Sequence, residues 1–135
     1  RLWPDGARVL LETLPAGSVD LLGAGLYGND PSARQRAVQL LETHLAAHPG
    51  QADGTMPLMF AKLGQPARAL QIWRVQGIGD PSDISVRLWS RAGEPIRALP
   101  DFHAFLRERG FYALWDKYGP PDLCQRVAMG DYRCD

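Results

Sequence analysis

Apolar residues recur along most of this chain at every third or fourth position, the spacing of one face of an α-helix. The alternation of β-branched residues that marks strands is missing. Glycine and proline cut the sequence into pieces of helical length. In "NDPSARQRAVQLLETHLAAHPG", Asp30 suits the N-cap and Pro31 the first turn, and Ala37, Val38, Leu41 and Leu45 share one face before Pro49-Gly50 ends the helix. "DGTMPLMFAKLG" sets Met56, Met59, Phe60 and Leu63 on one side and stops at Gly64. "QPARALQIWRVQG" follows at once, opened by Pro66, with Ala69, Leu70 and Trp73 as its apolar stripe. "DPSDISVRLWSRAG" repeats the design from Asp80-Pro81 with Ile84, Leu88 and Trp89. "PDGARVLLETL" and "GSVDLLGAGLYG" form a further pair at the front. Gly23 and Gly25 weaken the second of these by about 1 kcal/mol each, and suit a close approach by another helix.

The short turns between these pieces force antiparallel neighbours, so the expected fold is all-α, a run of stacked helical hairpins. "PDFHAFLRERG" and "FYALWDKYG" supply two short helices rich in Phe102, Phe105, Phe111, Tyr112, Trp115 and Tyr118, read as an aromatic cap on the last hairpin. The tail "PPDLCQRVAMGDYRCD" reads as loop and turn. One domain is expected, with an N-terminal hairpin over 1–28, repeat units over 29–99 and a cap and tail over 100–135.

The chain also echoes itself. Arg36-Ala37-Val38-Gln39-Leu40-Leu41 aligns with Arg68-Ala69-Leu70-Gln71-Ile72-Trp73, which sets Pro49 over Pro81. A second alignment sets Gly64, Pro66, Arg68, Ala69 and Leu70 over Gly93, Pro95, Arg97, Ala98 and Leu99. Such repetition suits two-helix units that cannot bury an apolar face alone and must stack. The order Ala, large apolar residue four positions on, then Pro resembles the tetratricopeptide repeat, carried by Ala37, Leu41 and Pro49 and by Ala69, Trp73 and Pro81. That resemblance covers about Leu26 to Leu99 and implies an α-solenoid that grips a protein or peptide.

The C-terminal stretch "DFHAFLRERGFYALWDKYGPPDLC", with Cys134 beyond it, is similar to the C-termini of bacterial regulators that join a winged-helix DNA-binding domain to a membrane span and a tetratricopeptide-like region outside the cytoplasm. The resemblance implies a sensory or protein-binding role, a periplasmic address and a disulfide between Cys124 and Cys134. The alternative for these two cysteines is a pair of free thiols in a cytoplasmic protein. The chain opens at Arg1 with apolar residues at once, which reads as a cut from a longer polypeptide.

Composition narrows the function further. Fifteen basic residues balance fifteen acidic ones, so no net field favours nucleic acid or an anionic membrane. No run of apolar residues is long enough for a membrane span. His44 and His48 share a helix face without a third ligand at a recognisable spacing, so no metal is assigned, and His44 is expected at the surface or an interface. "GAGLYGND" matches a GxGxxG pattern but follows no strand. The serines sit in no nucleophile elbow, and Cys124 with His103 serves as nucleophile and base only when the thiol is free. The expectation is no catalytic residue and no cofactor.

In a two-helix repeat the residues just before the glycine turn project into the concave surface. Asn29, Lys62, Arg87 and Arg91 are therefore the candidate ligand-binding residues, with Lys62 and Arg91 in one register as a cationic track for an acidic peptide or a terminal carboxylate. The function expected is a non-catalytic protein- or peptide-interaction or sensor module of a larger bacterial regulator. The alternative is a structural or oligomerisation segment that packs on another copy or on an upstream domain.

Overall fold

A computed structural model describes Glu12 and residues 14–49, 55–76 and 87–135. The helix expected over "PDGARVLLETL" lies, apart from Glu12 and Leu14, outside the described residues, as do Asp80, Pro81 and Ile84. The rest is mainly helical: α1 (Ser18–Tyr27), α2 (Pro31–Ala47), α3 (Thr55–Lys62), α4 (Pro66–Gln76), a 3-10 turn (Arg91–Gly93), α5 (Glu94–Arg97), α6 (Phe102–Glu108) and α7 (Phe111–Tyr118). The expectation of an all-α chain needs one correction. The tail is a two-stranded antiparallel ribbon, β1 (Cys124–Ala128) and β2 (Asp131–Cys134), with an irregularity between Arg126 and Ala128.

Local sequence accounts for the helices. Asp30 Oδ1 accepts from the Ser32 amide at 2.9 Å and Pro31 occupies the first turn, so α2 starts where the pattern places it. α1 buries Ser18, Leu22, Gly25 and Leu26, and α2 buries Ala33, Ala37, Leu41, His44 and Leu45, each set lying along one helical face. The end of α3 is a Schellman motif. Gly64 is left-handed (φ 85°), the Gln65 amide donates to the Phe60 carbonyl at 2.8 Å and the Gly64 amide to the Ala61 carbonyl at 3.1 Å. Chain direction thereby reverses within two residues and α4 returns along α3.

α1 packs on α2 and α3 on α4, giving two antiparallel hairpins. Their junction turns on size. A methyl group added at Gly25 would lie 2.6 Å from Ala37 Cβ, 3.1 Å from the Ala33 carbonyl oxygen and 3.2 Å from Leu63 Cδ2. One glycine of α1 therefore fits against both α2 and the end of α3. Across the second helices, Arg68 grips Glu42 with both arms, Nε to Oε1 at 2.7 Å and Nη2 to Oε2 at 3.0 Å. Both side chains are about one-third exposed, so the pair contributes no more than about 1 kcal/mol and chiefly fixes orientation. Arg109, from the turn after α6, donates to the carbonyls of Trp73 and Arg74 at 3.1 and 2.8 Å, closing the C-terminal end of α4.

The two sequence echoes fare differently. Ala37, Ala69 and Leu41 are fully buried and Trp73 nearly so, so the aligned positions agree in burial. The third copy departs from the pattern. Ala98 is exposed, and Gly93 has an ordinary φ of −80° inside a 3-10 turn where Gly64 is left-handed. The physical reason is crowding by proline and by the backbone. Pro95 and Pro100 confine α5 to a single turn, and a side chain at Gly93 would meet the Leu88 carbonyl oxygen. The 3-10 turn and α5 pack on α3 and α4.

One hydrophobic cluster runs from Leu22 to Tyr132. Its C-terminal part is the expected aromatic cap: Trp73 stacks near Phe105, Trp89 meets Phe102 and Trp115, and Trp115 meets Phe111, Tyr112 and Tyr132. Tyr118, counted with the cap from sequence, is exposed instead.

The junction yields opposed expectations for two glycines two residues apart, on different faces of α1. Gly25→Ala costs about 1 to 3 kcal/mol through overpacking against Ala37 and the Ala33 carbonyl. Gly23→Ala, where nothing lies within 4 Å of the added methyl, is neutral or stabilises by up to about 1 kcal/mol. Urea unfolding of the two variants beside the parent chain measures both, and equal midpoints for the two would remove the close approach from the account.

Candidate functional site

Among the described residues, two concavities flank α2. The larger, about 420 Å³, lies between α2 and α4 and is lined by Glu42, Leu45, Ala46, Pro49, Arg68, Ile72 and Val75. Its charges are spent on each other in the Arg68–Glu42 fork, and the remaining lining is aliphatic. The smaller, about 330 Å³, lies where the first turns of α2 face the α3–α4 turn, and its walls are Pro31, Arg34, Gln35, Val38, Leu63 and Gln65. Val38 and Leu63 form an apolar floor. Two amides and the Arg34 guanidinium supply polar groups, and the Arg34 side chain has no hydrogen-bond or ion-pair partner among the described residues.

Lys62 stands beside this smaller groove, one residue before the lining Leu63. Its ammonium lies 4.0 Å from the centre of the exposed Tyr27 ring, a cation–π contact worth about 0.5 to 1 kcal/mol at an exposed site. Asn29 is exposed in the α1–α2 turn, two residues from Tyr27 and two from Pro31. The Lys62–Tyr27 contact thus brings the end of α3 to the end of α1, two residues before Asn29. Arg91 is exposed at the start of the 3-10 turn, which packs on α3, while Arg87 is half-buried at the entry to that segment. Lys62 and Arg91 do not occupy equivalent backbone positions, because one ends a helix at a left-handed glycine and the other opens a 3-10 turn. Sequence reasoning missed Arg34, Gln35, Gln65 and Tyr27. Arg34 and Gln35 lie on the polar side of α2, where periodicity assigns only solvent, and no local signal tells which solvent-facing residues a later turn will approach.

Elsewhere the titratable groups are used in packing. His44 is buried rather than at the surface, its ring stacked 4.5 Å from that of His48, and His48 Nδ1 donates to the His44 carbonyl at 3.2 Å. Among the described residues no three His, Cys, Asp or Glu side chains gather to hold a metal ion. Cys124 and Cys134 are joined in a disulfide, so neither is a free thiol. His103 Nδ1 lies 2.8 Å from the Tyr112 hydroxyl, which itself donates to the Tyr132 carbonyl at 3.4 Å, and the Tyr132 hydroxyl donates to Asp116 Oδ1 at 2.8 Å. This chain of bonds ties α6, α7 and β2 together. No described helix is long and apolar enough to cross a membrane.

Burial, and then the nearby Asp131 carboxylate, pushes the Tyr112 phenol above its ordinary range. Burial, and then the hydrogen bond to Asp116, does the same for Tyr132. A phenol whose folded pKa is raised holds its proton more tightly in the native state. The stabilisation is complete below tyrosine's ordinary value of about 10 and is lost as pH climbs from there through the folded value. Melting temperature is therefore expected to fall in that alkaline window, and Tyr112→Phe and Tyr132→Phe each to flatten the fall; unchanged slopes in both variants would count against the hydroxyl chain. Comparison of the chain with protein-family models, with curated proteins and with solved structures gives no match in any of the three.

Proposed function

We propose that this chain is a non-catalytic interaction module of tetratricopeptide-like build, part of a larger bacterial regulatory protein, and that it takes an acidic peptide segment in the smaller groove. The observation that carries the reading is the coincidence of a guanidinium without a partner among the described residues, Arg34, with an apolar floor and a neighbouring ammonium, Lys62, on a chain whose overall charge is zero. A local cationic rim on a neutral protein discriminates by contact rather than by long-range field. Gln35, Gln65 and Asn29 add neutral donors and acceptors suited to an extended backbone. Val38 and Leu63 accept one apolar side chain. Membership of a regulator rests on the similarity of the C-terminal stretch to that family. A periplasmic address draws support from the Cys124–Cys134 disulfide, which fits an oxidising environment.

A second reading, an oligomerisation segment, draws on the larger groove, whose aliphatic wall continues into the exposed Val75. Light scattering after size exclusion separates the two: the peptide-binding reading expects a monomer at all concentrations tested, and a tight dimer favours the alternative.

Fluorescence polarisation with three short labelled peptides tests the groove directly, one rich in Asp and Glu around a single Leu, one with those acids replaced by their amides, and one by Lys. The acidic peptide is expected to bind and the other two to fail. Arg34→Glu and Lys62→Glu are each expected to weaken binding at least about tenfold, the scale of a lost charge-assisted hydrogen bond, while helical circular dichroism is unchanged. Equal binding of the amide peptide, or indifference to Arg34→Glu, contradicts the proposal.

A further inference from the structure

The C-terminal ribbon is small for an independent element. Two strands of five and four residues do not hold themselves together in water, and this pair is closed by a disulfide between Cys124 and Cys134, which face each other in the register. The Asp135 amide donates to the Leu123 carbonyl at 2.9 Å, immediately outside that pair, so the cystine and this bond together set the position of Asp135.

Asp135 then serves a buried charge. Arg97, at the end of α5, is about nine-tenths buried and extends its guanidinium between three backbone carbonyls. Nε donates to Asp135 at 2.9 Å, and Nη1 donates to both Leu88 and Ser90 at 2.7 Å. Burial lowers the arginine from its ordinary range, and Glu94, one turn back on α5, partly opposes this. A buried guanidinium needs every acceptor it has, because an unsatisfied buried donor costs more than a made bond contributes. Arg97 thus couples the ribbon on one side to the 88–90 turn on the other. That turn leads directly into Arg91.

We propose that the ribbon is a redox-controlled latch on the 88–93 turn, locked by the Cys124–Cys134 disulfide and released by a dithiol reductant. Cys134 is the accessible half, partly exposed where Cys124 is buried. A thiolate of the dithiol attacks Cys134 Sγ. The S–S bond breaks, and its electron pair leaves on Cys124 Sγ, which takes up a proton. The second thiol of the reductant then attacks the mixed disulfide and expels Cys134 as a thiolate, which is protonated in turn, while the reductant departs as its own disulfide. Two electrons and two protons reach the protein. With the staple gone the ribbon frays and the Asp135 carbonyl leaves Arg97. The guanidinium turns to water, and Leu88 and Ser90 lose their shared donor. Among the described residues, no hydrogen bond of Arg97 or of the ribbon reaches α1 to α4, and these helices stay closed.

Amide hydrogen exchange on the whole chain, with and without dithiothreitol, tests the latch. Ser90 and Gly93 report on it, because their amides donate to the Arg87 and Ser90 carbonyls. Reduction is expected to speed both about tenfold, the change that accompanies loss of one hydrogen bond to a charged group, with the amides of α1 to α4 unaltered. In oxidised Arg97→Lys, which keeps the charge but cannot span three carbonyls, Ser90 and Gly93 are expected to exchange at the reduced rate already and to ignore dithiothreitol. Three results overturn the proposal: faster exchange confined to the ribbon, loss of protection throughout α1 to α4 on reduction, or a continued response of Ser90 and Gly93 to dithiothreitol in Arg97→Lys. Should Arg97→Lys not fold, the reduced parent chain decides between the first two results and the latch.

Discussion

Close approach between small residues at one junction governs this structure. A single helical hairpin presents an apolar stripe it cannot cover, so α1/α2 and α3/α4 are stable only if their stripes meet. Meeting requires short distances. Gly25 sits against Ala37, the Ala33 carbonyl and Leu63 with no room for a methyl group, and that fit brings α1, α2 and the end of α3 to one point. Around it the large residues Leu22, Leu41, Phe60 and Trp73 close the core. The bidentate Arg68–Glu42 pair and the Arg109 bonds to α4 then add orientation rather than much energy, since each lies near solvent.

Much of this architecture is legible in the sequence because it obeys local rules. Asp30-Pro31 starts α2, Gly64 ends α3, and the buried faces of α2 and α4 follow their apolar spacing. The Ala37/Ala69 echo reflects a shared packing need, since both alanines are fully buried. The Ala69/Ala98 echo is just as plain in the letters, yet it describes no shared environment. There prolines and a tight carbonyl contact at Gly93 overrule the motif. Local similarity reports local propensity, and tertiary crowding decides which copies share an environment.

What the pattern leaves unread depends on partners distant in sequence. The ribbon carries little strand signal of its own in "CQRVAMGDYRC", because a disulfide and the packing of Tyr132 on Tyr112 and Trp115 hold it. His44, expected at the surface or an interface, is buried on the same face of α2 as Leu41 and Leu45. Asn29 and Lys62 stand out in the sequence because both lie at helix ends, but neither lines the groove. Its polar lining, Arg34, Gln35 and Gln65, consists of residues whose meaning comes only from what faces them. A chain of zero net charge gives no hint of such a patch, since balance overall is compatible with imbalance within one groove.

The junction at Gly25 is open to direct observation in solution. Methyl-resolved nuclear Overhauser spectra of the isotopically labelled chain should contain cross-peaks from the Gly25 α-protons to the Ala37 methyl and to a Leu63 methyl, since the added-methyl geometry places these carbons within contact range. Strong peaks to both residues are the result this account predicts. Absence of the Leu63 peak while the Ala37 peak persists would mean that the first hairpin forms but does not seat against the second, and the interlocked core described above would be wrong.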